Sequence, residues 1–212
     1  MESNYTKTVR VAQKLFLDYD QDAIIARYGL EHDEDWLYLP FIGNRYRISR
    51  ENGAIEVLTE AGQYEYSGDF NVVMSIYDGL CYPTETPTLS GEWCQINSLQ
   101  VTMSSPSANI FNQKYANIFA GNVQRLRRAC EKLGGTELPI AAGADVYCQF
   151  EVFPFFPIQF RFWDADDEFP AQIRILWDRN SLQFMHFETL YYVMGAFLTN
   201  LLTIFQSNVT DD

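Results

Sequence analysis

The segment 163–170 carries the densest group of ionisable side chains in the sequence. It reads WDADDEFP, and its four carboxylates are Asp164, Asp166, Asp167 and Glu168. Trp163 and Phe169 flank the group, and the surrounding pattern places it at a turn between two strands. Four carboxylates this close together need compensating partners, and three arrangements would supply them.

In the first arrangement the segment is a water-exposed hairpin loop, in which aspartate side chains accept hydrogen bonds from turn amides. In the second, Asp164, Asp166 and Glu168 bind a hard cation such as Ca²⁺ or Mg²⁺, although the spacing lacks the glycine and the distal glutamate of an EF-hand loop. In the third, the loop binds a cationic ligand or partner, or pairs with Arg161 and Arg174 on the flanking strands. The sequence leaves all three open.

Two further carboxylates could join such a network. Asp178 ends the third strand of this region, and Glu188 opens the last helix, where the helix dipole by itself favours a negative charge. Upstream, Glu92 and Trp93 form a second aromatic and acidic pair. We expect Glu92, Trp93, Trp163 and the acidic loop to lie near one another.

Familiar catalytic motifs are absent from the sequence. It contains no G-x-S-x-G, no P-loop, no G-x-G-x-x-G and no H-E-x-x-H, and it has only two histidines. His186 lies between Met185 and Phe187, which predicts a buried, hydrogen-bonded histidine. The four cysteines, at 81, 94, 130 and 148, lack metal-site spacing and are typical of a reducing compartment, so we expect a cytoplasmic protein.

Composition narrows the class of partner. The formal net charge of −13 repels phosphate backbones, so nucleic acid is not an expected partner. Residues 189–210 carry no charged side chain, yet five polar residues interrupt the run and no basic residue flanks it. The run therefore predicts a buried core helix rather than a membrane anchor.

The elements that must position these residues form an α+β pattern. Apolar periodicity predicts helices at residues 5–28, 70–80 and 112–133 and from 187 onward. Alternation predicts a three-stranded meander within residues 32–58 and strands at 145–152, 158–163 and 172–177, with prolines 154, 157 and 170 between them. We predict one domain over residues 1–212, with a mainly antiparallel sheet of about five to seven strands in two meanders and three to four packing helices.

The same residues carry a family resemblance. The stretch FPFFPIQFRFWDADDEFPAQIRILWD, followed by FETLYYV, resembles the signature of the family called domain of unknown function 3786, found in bacteria and archaea. In that family W-x-x-D-E-E-F-P precedes a strand ending in F-D and an acidic residue that opens the last helix. LSGEW at 89–93 is similar to the family's L-T-G-E-W, and LGG at 133–135 to the end of its central helix. The resemblance covers the chain from about residue 20 onward.

The family is uncharacterised, and some relatives carry an N-terminal cysteine-rich iron–sulfur domain similar to those of corrinoid proteins. The resemblance therefore implies a link to anaerobic one-carbon metabolism, although this chain lacks such a cysteine cluster. It also reads Trp177-Asp178 for F-D, and FFP at 155–157 where relatives more often have a basic residue before the proline. An anion-binding role for that basic residue does not carry over.

We therefore expect a non-catalytic binding or accessory module for a small molecule or a protein partner. The alternative is an enzyme that uses Mg²⁺, Mn²⁺ or Ca²⁺ held by the acidic loop and Asp178. The sequence does not indicate a cofactor, a ligand or an oligomeric state. The candidate binding residues are Glu92, Trp93, Trp163, Asp164, Asp166, Asp167, Glu168, Arg174, Asp178 and Glu188.

Overall fold

The computed structural model describes residues 4–99, 108–139 and 143–207. Over these ranges the chain forms six α-helices and ten β-strands, and the strands build two five-stranded antiparallel sheets. The chain groups into two compact units. The first contains residues up to 88 together with 153–155 and 182–196, and the second contains 89–152, 156–181 and the residues from 197 onward.

The first unit holds a meander sheet, in which each strand pairs with the next along the chain. The turn between its second and third strands places Ile42 at φ 46° and Gly43 at φ 73°, as a tight hairpin with two left-handed residues requires. Its elements are α1 (Asn4–Asp18), α2 (Gln21–Tyr28), β1 (Glu31–His32), β2 (Trp36–Phe41), β3 (Asn44–Ser49), β4 (Ile55–Leu58), β5 (Tyr64–Tyr66) and α3 (Phe70–Cys81).

The second unit holds a sheet in the order β6-β10-β9-β8-β7. Strand β10 pairs with β9 along most of its length and with the short β6 at its far end, and α4 packs on β10. The elements are β6 (Trp93–Gln95), α4 (Ala108–Phe119), α5 (Val123–Lys132), β7 (Thr136–Glu137), β8 (Val146–Phe153), β9 (Phe156–Trp163) and β10 (Gln172–Asp178). The last helix, α6 (Phe187–Ser207), contributes its residues up to 196 to the first unit and the remainder to the second.

The α+β class with antiparallel sheets is confirmed, and the strands and helices outnumber those expected. The extra strands are short edge strands of two or three residues, too brief to show an alternating pattern. The expected helix at 5–28 is two helices, because Asp20 caps α2 by accepting a hydrogen bond from the Ala23 amide. The expected helix at 112–133 is also two, because Gly121 adopts φ 72° and turns the chain.

Two further differences concern prolines and the membrane. Pro157 lies inside β9, not between strands, at the second position, where its missing amide hydrogen falls before the first residue paired with β10. Within the described ranges, the search for a helix long and apolar enough to cross a bilayer finds none. One domain over residues 1–212 remains a prediction.

Candidate functional site

A cavity of about 290 Å³ opens in the second unit, beside the end of the acidic motif. Its lining is unusually rich in carboxamides, and we call it the amide pocket. The residues that line it are Gln95, Asn112, Gln113, Pro170, Gln172, Ile173 and Arg174.

Three elements position these side chains. Gln172 and Arg174 are two residues apart on β10 and therefore point to the same face of the sheet. Gln95 ends β6, and α4 supplies Asn112 and Gln113. The Gln113 amide nitrogen donates to the Ala171 carbonyl at 3.0 Å, which fixes α4 against the start of β10.

Asn112 is the unusual member of the pocket. Only 4% of the residue is exposed, and its Oδ1 has no hydrogen-bond partner among the described residues. A buried acceptor left without a donor costs about 1–3 kcal/mol. Such a group in the wall of a cavity is best explained by a ligand that supplies an N–H or O–H.

Positive charge concentrates next to the pocket in spite of the acidic composition. Arg174 and Arg161 lie directly opposite each other on β10 and β9. The Arg174 guanidinium lies 5.2 Å from the Trp163 ring centre, so Trp163 positions a pocket residue. No carboxylate is among the residues that line the cavity.

Arg161 is held by aromatic contacts. Its guanidinium lies 4.4 Å from the Tyr147 ring centre and donates to the Tyr147 hydroxyl at 3.0 Å. Its Nε is buried and has no hydrogen-bond partner among the described residues. Two like charges facing each other across a strand pair are unfavourable unless an anion is shared, so this face of the sheet favours an acidic ligand group.

The acidic motif forms a capped turn. Asp166 Oδ1 accepts hydrogen bonds from the Phe169 amide at 2.7 Å and the Glu168 amide at 2.8 Å, and these bonds lower the pKa of Asp166. Asp164 accepts from the amides of Gly121 and Ala165, both at 2.8 Å. Asp167 and Glu168 are exposed. This geometry supports the capped-turn arrangement of the three that the sequence left open.

The metal alternative gains no geometric support. A search of the described residues finds no group of three or more His, Cys, Asp or Glu side chains arranged to hold a metal ion. The set of Asp164, Asp166 and Glu168 is therefore not gathered around a common point.

Asp178 is a buried anchor at the opposite end of β10. It is 1% exposed, and Oδ1 accepts from the Ser90 amide, the Ser90 hydroxyl and the Asn180 amide, while Oδ2 accepts from the Gly91 amide at 2.8 Å. Burial alone would raise the pKa of Asp178, but the amides of Ser90, Asn180 and Gly91 outweigh it, and the pKa is lowered. Asp178 thus joins the LSGEW segment to the WD that ends β10.

The expected cluster of Glu92, Trp93, Trp163 and the acidic loop does not form. Trp93 pairs with Asp178, whereas Trp163 pairs with Gln172 at the other end of β10. Six residues of extended strand separate these ends by about 20 Å. Glu92 instead forms an exposed ion pair with Arg179, at 2.7 Å.

Two predictions concern residues of the first unit. Glu188 lies in the first turn of α6 and is exposed, as the helix-dipole interpretation requires. The prediction of a buried His186 is wrong, since 59% of its side chain is exposed. It is nevertheless hydrogen-bonded: Asp78 binds both its ring Nδ1, at 2.7 Å, and its backbone amide, at 2.8 Å.

Sequence reasoning found only Arg174 among the polar pocket residues and missed Gln95, Asn112, Gln113 and Gln172. One signal was available for Asn112. It lies three and four residues before the buried Tyr115 and Ala116, so a polar residue occupies the core-facing stripe of α4.

Comparison with known families decides where the chain belongs. The model of a family described as a domain of unknown function, DUF3786, matches residues 20–200 of the 212. The chain belongs to the DUF3786 family. The matched range agrees with the start expected near residue 20 and includes every residue of the amide pocket. No curated protein and no solved structure matches this DUF3786 chain.

Proposed function

We propose that this DUF3786 protein is a non-catalytic binding module for a small polar anion, and that the amide pocket is its binding site. The observation that carries the proposal is the buried Asn112 Oδ1 without a partner among the described residues. A ligand hydroxyl or N–H would satisfy it. A carboxylate or phosphate on the same ligand would face Arg174.

The size of the cavity supports a small ligand. A volume of about 290 Å³ lies at the lower end of the range typical of ligand sites, about 300–1,000 Å³. Such a cavity suits a compound the size of a hydroxy acid or an amino acid better than a macrocycle. The link to corrinoid and one-carbon metabolism would then concern the pathway that this module serves. All four cysteines are free, which supports a reducing, cytoplasmic setting.

The test is a titration of the full chain, read by thermal shift and by NMR of the side-chain amides, with matched pairs of compounds. Each pair combines an acidic compound with an uncharged counterpart: lactate with propanediol, glutamine with propionamide, and glycerol phosphate with glycerol. We expect one or more acidic compounds to raise the melting temperature and to shift the amide signals of Gln95 and Asn112. Their counterparts should do neither.

Two variants assign the binding to the pocket. Arg174→Gln should raise the Kd of the acidic compound at least about tenfold, because hydrogen bonds to charged groups are worth about 1.5–3 kcal/mol. Arg179→Gln removes an arginine just beyond the same strand, outside the pocket, and should leave the Kd unchanged. A flat response to every compound would refute the proposal, as would binding that Arg174→Gln does not weaken. Cobalamin belongs in the same panel, and binding of cobalamin that ignores Arg174 would point to a different surface.

A further inference from the structure

Two cysteines in the second unit form a buried pair. Cys130 lies in α5 and is fully buried, and Cys148 lies in β8 and is 4% exposed. Their side chains are hydrogen-bonded to each other. The register that pairs Cys148 with Glu137 of β7 holds one thiol in place, and the position of Cys130 near the end of α5 holds the other. Thiols in hydrogen-bond contact need only a small further approach to reach the S–S bond length of about 2 Å.

The two thiols differ in access. Cys148 lines a cleft of about 540 Å³, together with Arg127, Arg128, Glu137 and three further residues, whereas Cys130 is not part of that lining. A small reagent that enters the cleft therefore meets the Cys148 sulfur first.

They differ also in proton affinity. The hydrogen bond from Cys130 lowers the pKa of Cys148, and the same bond raises the pKa of Cys130. The proton thus stays on the inaccessible sulfur, and the sulfur that faces the cleft carries the thiolate character that a nucleophile needs.

We propose that Cys148 and Cys130 are a peroxide-reactive dithiol, in which Cys148 is oxidised first and Cys130 resolves it. The Cys148 thiolate attacks one oxygen of hydrogen peroxide, the O–O bond breaks, and hydroxide leaves to become water. The Cys130 sulfur then attacks the resulting sulfenic acid, the S–O bond breaks, and water leaves with the Cys130 proton. In total, two thiols and one peroxide give one disulfide and two waters, and two electrons pass from sulfur to oxygen.

The remaining cysteines sharpen this inference. Cys81 and Cys94 are both more exposed than the pair. Burial nevertheless raises the pKa of Cys81 to about 12, and burial also raises that of Cys94. If exposure governed oxidation, Cys94 would react first. If thiolate character governs it, the buried pair reacts first.

The experiment treats the native full chain with one equivalent of hydrogen peroxide and follows it by intact mass and by peptide mapping after alkylation. We expect the mass to fall by about 2 Da, the loss of two hydrogens, with a peptide cross-link between Cys130 and Cys148. Cys81 and Cys94 should be recovered as alkylated thiols. The Cys130→Ser variant should instead accumulate a dimedone-reactive sulfenic acid on Cys148, and a Cys81→Ser/Cys94→Ser double variant should form the cross-link at the wild-type rate.

Oxidation of Cys94 ahead of the pair would overturn the proposal. So would a cross-link that forms only in denaturant, since the native contact would then not be its cause. Both results can be read from the wild-type chain, so they do not depend on whether the variants fold.

Discussion

Asn112 carries the argument for a ligand, because it combines deep burial with an acceptor that has no donor among the described residues. A residue kept for structure would be expected to repay its burial. Gln159 does so: it is 5% exposed, and its Oε1 accepts from the Tyr147 hydroxyl at 2.6 Å. The two buried amides therefore distinguish a structural role from a binding role.

Replacing Asn112 with alanine should leave the free energy of unfolding within about 1 kcal/mol of wild type, because the lost contacts are offset by removal of an unsatisfied polar atom and by better helix propensity. Gln159→Leu should cost about 1–3 kcal/mol, since it leaves the buried Tyr147 hydroxyl without its acceptor. Urea unfolding of both variants measures the difference. A loss of several kcal/mol in Asn112→Ala alone would assign Asn112 to structure and weaken the proposed site.

Asp178 should make stability depend on pH in the acid range. Its folded pKa lies below the ordinary value of 3.8, so the unfolded chain takes up a proton at a higher pH than the folded chain does. The stabilisation is therefore fully present above the unfolded value and is lost as the pH falls through the folded one. Asp178→Asn should lower the free energy of unfolding by about 3 kcal/mol at pH 7, because the asparagine NH₂ group faces amide donors in a buried site.

Urea titrations at pH 7 and pH 3 test this expectation, and the gap between Asp178→Asn and wild type should narrow at pH 3. Asp166→Asn is the matched control, since the Asp166 carboxylate also accepts two backbone amides but is exposed. A pH-independent gap for Asp178→Asn would show that shape, not charge, matters at this position.

The acidic loop acts as a connector between elements. Asp164 accepts from the amide of Gly121, the residue that separates α4 from α5, while its own amide donates to Asp145 at 2.7 Å. The motif that resembles a metal-binding sequence thus holds the corner between two helices against the β9–β10 turn.

Asp164→Ala should free the Gly121 amide and destabilise the chain by about 1 kcal/mol, the usual value of one such hydrogen bond. Amide hydrogen exchange measures this directly, and Gly121 should exchange faster while the amides in the middle of β10 keep their wild-type rates. Asp167→Ala provides the control, because Asp167 is an exposed carboxylate in the same loop. Equal effects of the two substitutions would contradict a specific role for Asp164.

Elements with strong local signals were predictable. The strands β8, β9 and β10 follow from alternation, and α6 begins where its apolar stripe begins. The breaks after α1 and α4 were not predicted, because the amphipathic pattern continues through them and only a cap or a left-handed glycine marks the corner. The site was less predictable still, since Ser90 and Asp178 meet across 88 residues and the amide pocket depends on α4 packing on β10.

At the scale of the whole molecule, neither compact unit is a continuous stretch of chain. Phe153 is fully buried and packs on Phe41, with ring centres 4.6 Å apart, and Phe155 stacks on Tyr28 at 3.8 Å. Both aromatic contacts complete the first unit with residues far along the chain. The first 88 residues therefore lack part of their own core.

A fragment of residues 1–88 should not fold by itself. We expect narrow amide dispersion in its NMR spectrum and no cooperative thermal transition, in contrast to the full chain. In the full chain, Phe153→Ala should cost about 3–5 kcal/mol, as is usual when a buried phenylalanine is removed from a core. A fragment that unfolds cooperatively would show that the later segments are dispensable for the first unit.

The interleaving also fixes an order of events during synthesis. A ribosome releases the first sheet of the meander long before it has made Phe153, Phe155 or the segment 182–196. At about 5–20 residues per second, that delay lasts between roughly five and twenty seconds. Throughout it, the apolar faces of β2 and β3 wait for partners that do not yet exist. We therefore expect the nascent chain to engage a chaperone until nearly all of α6 has been translated.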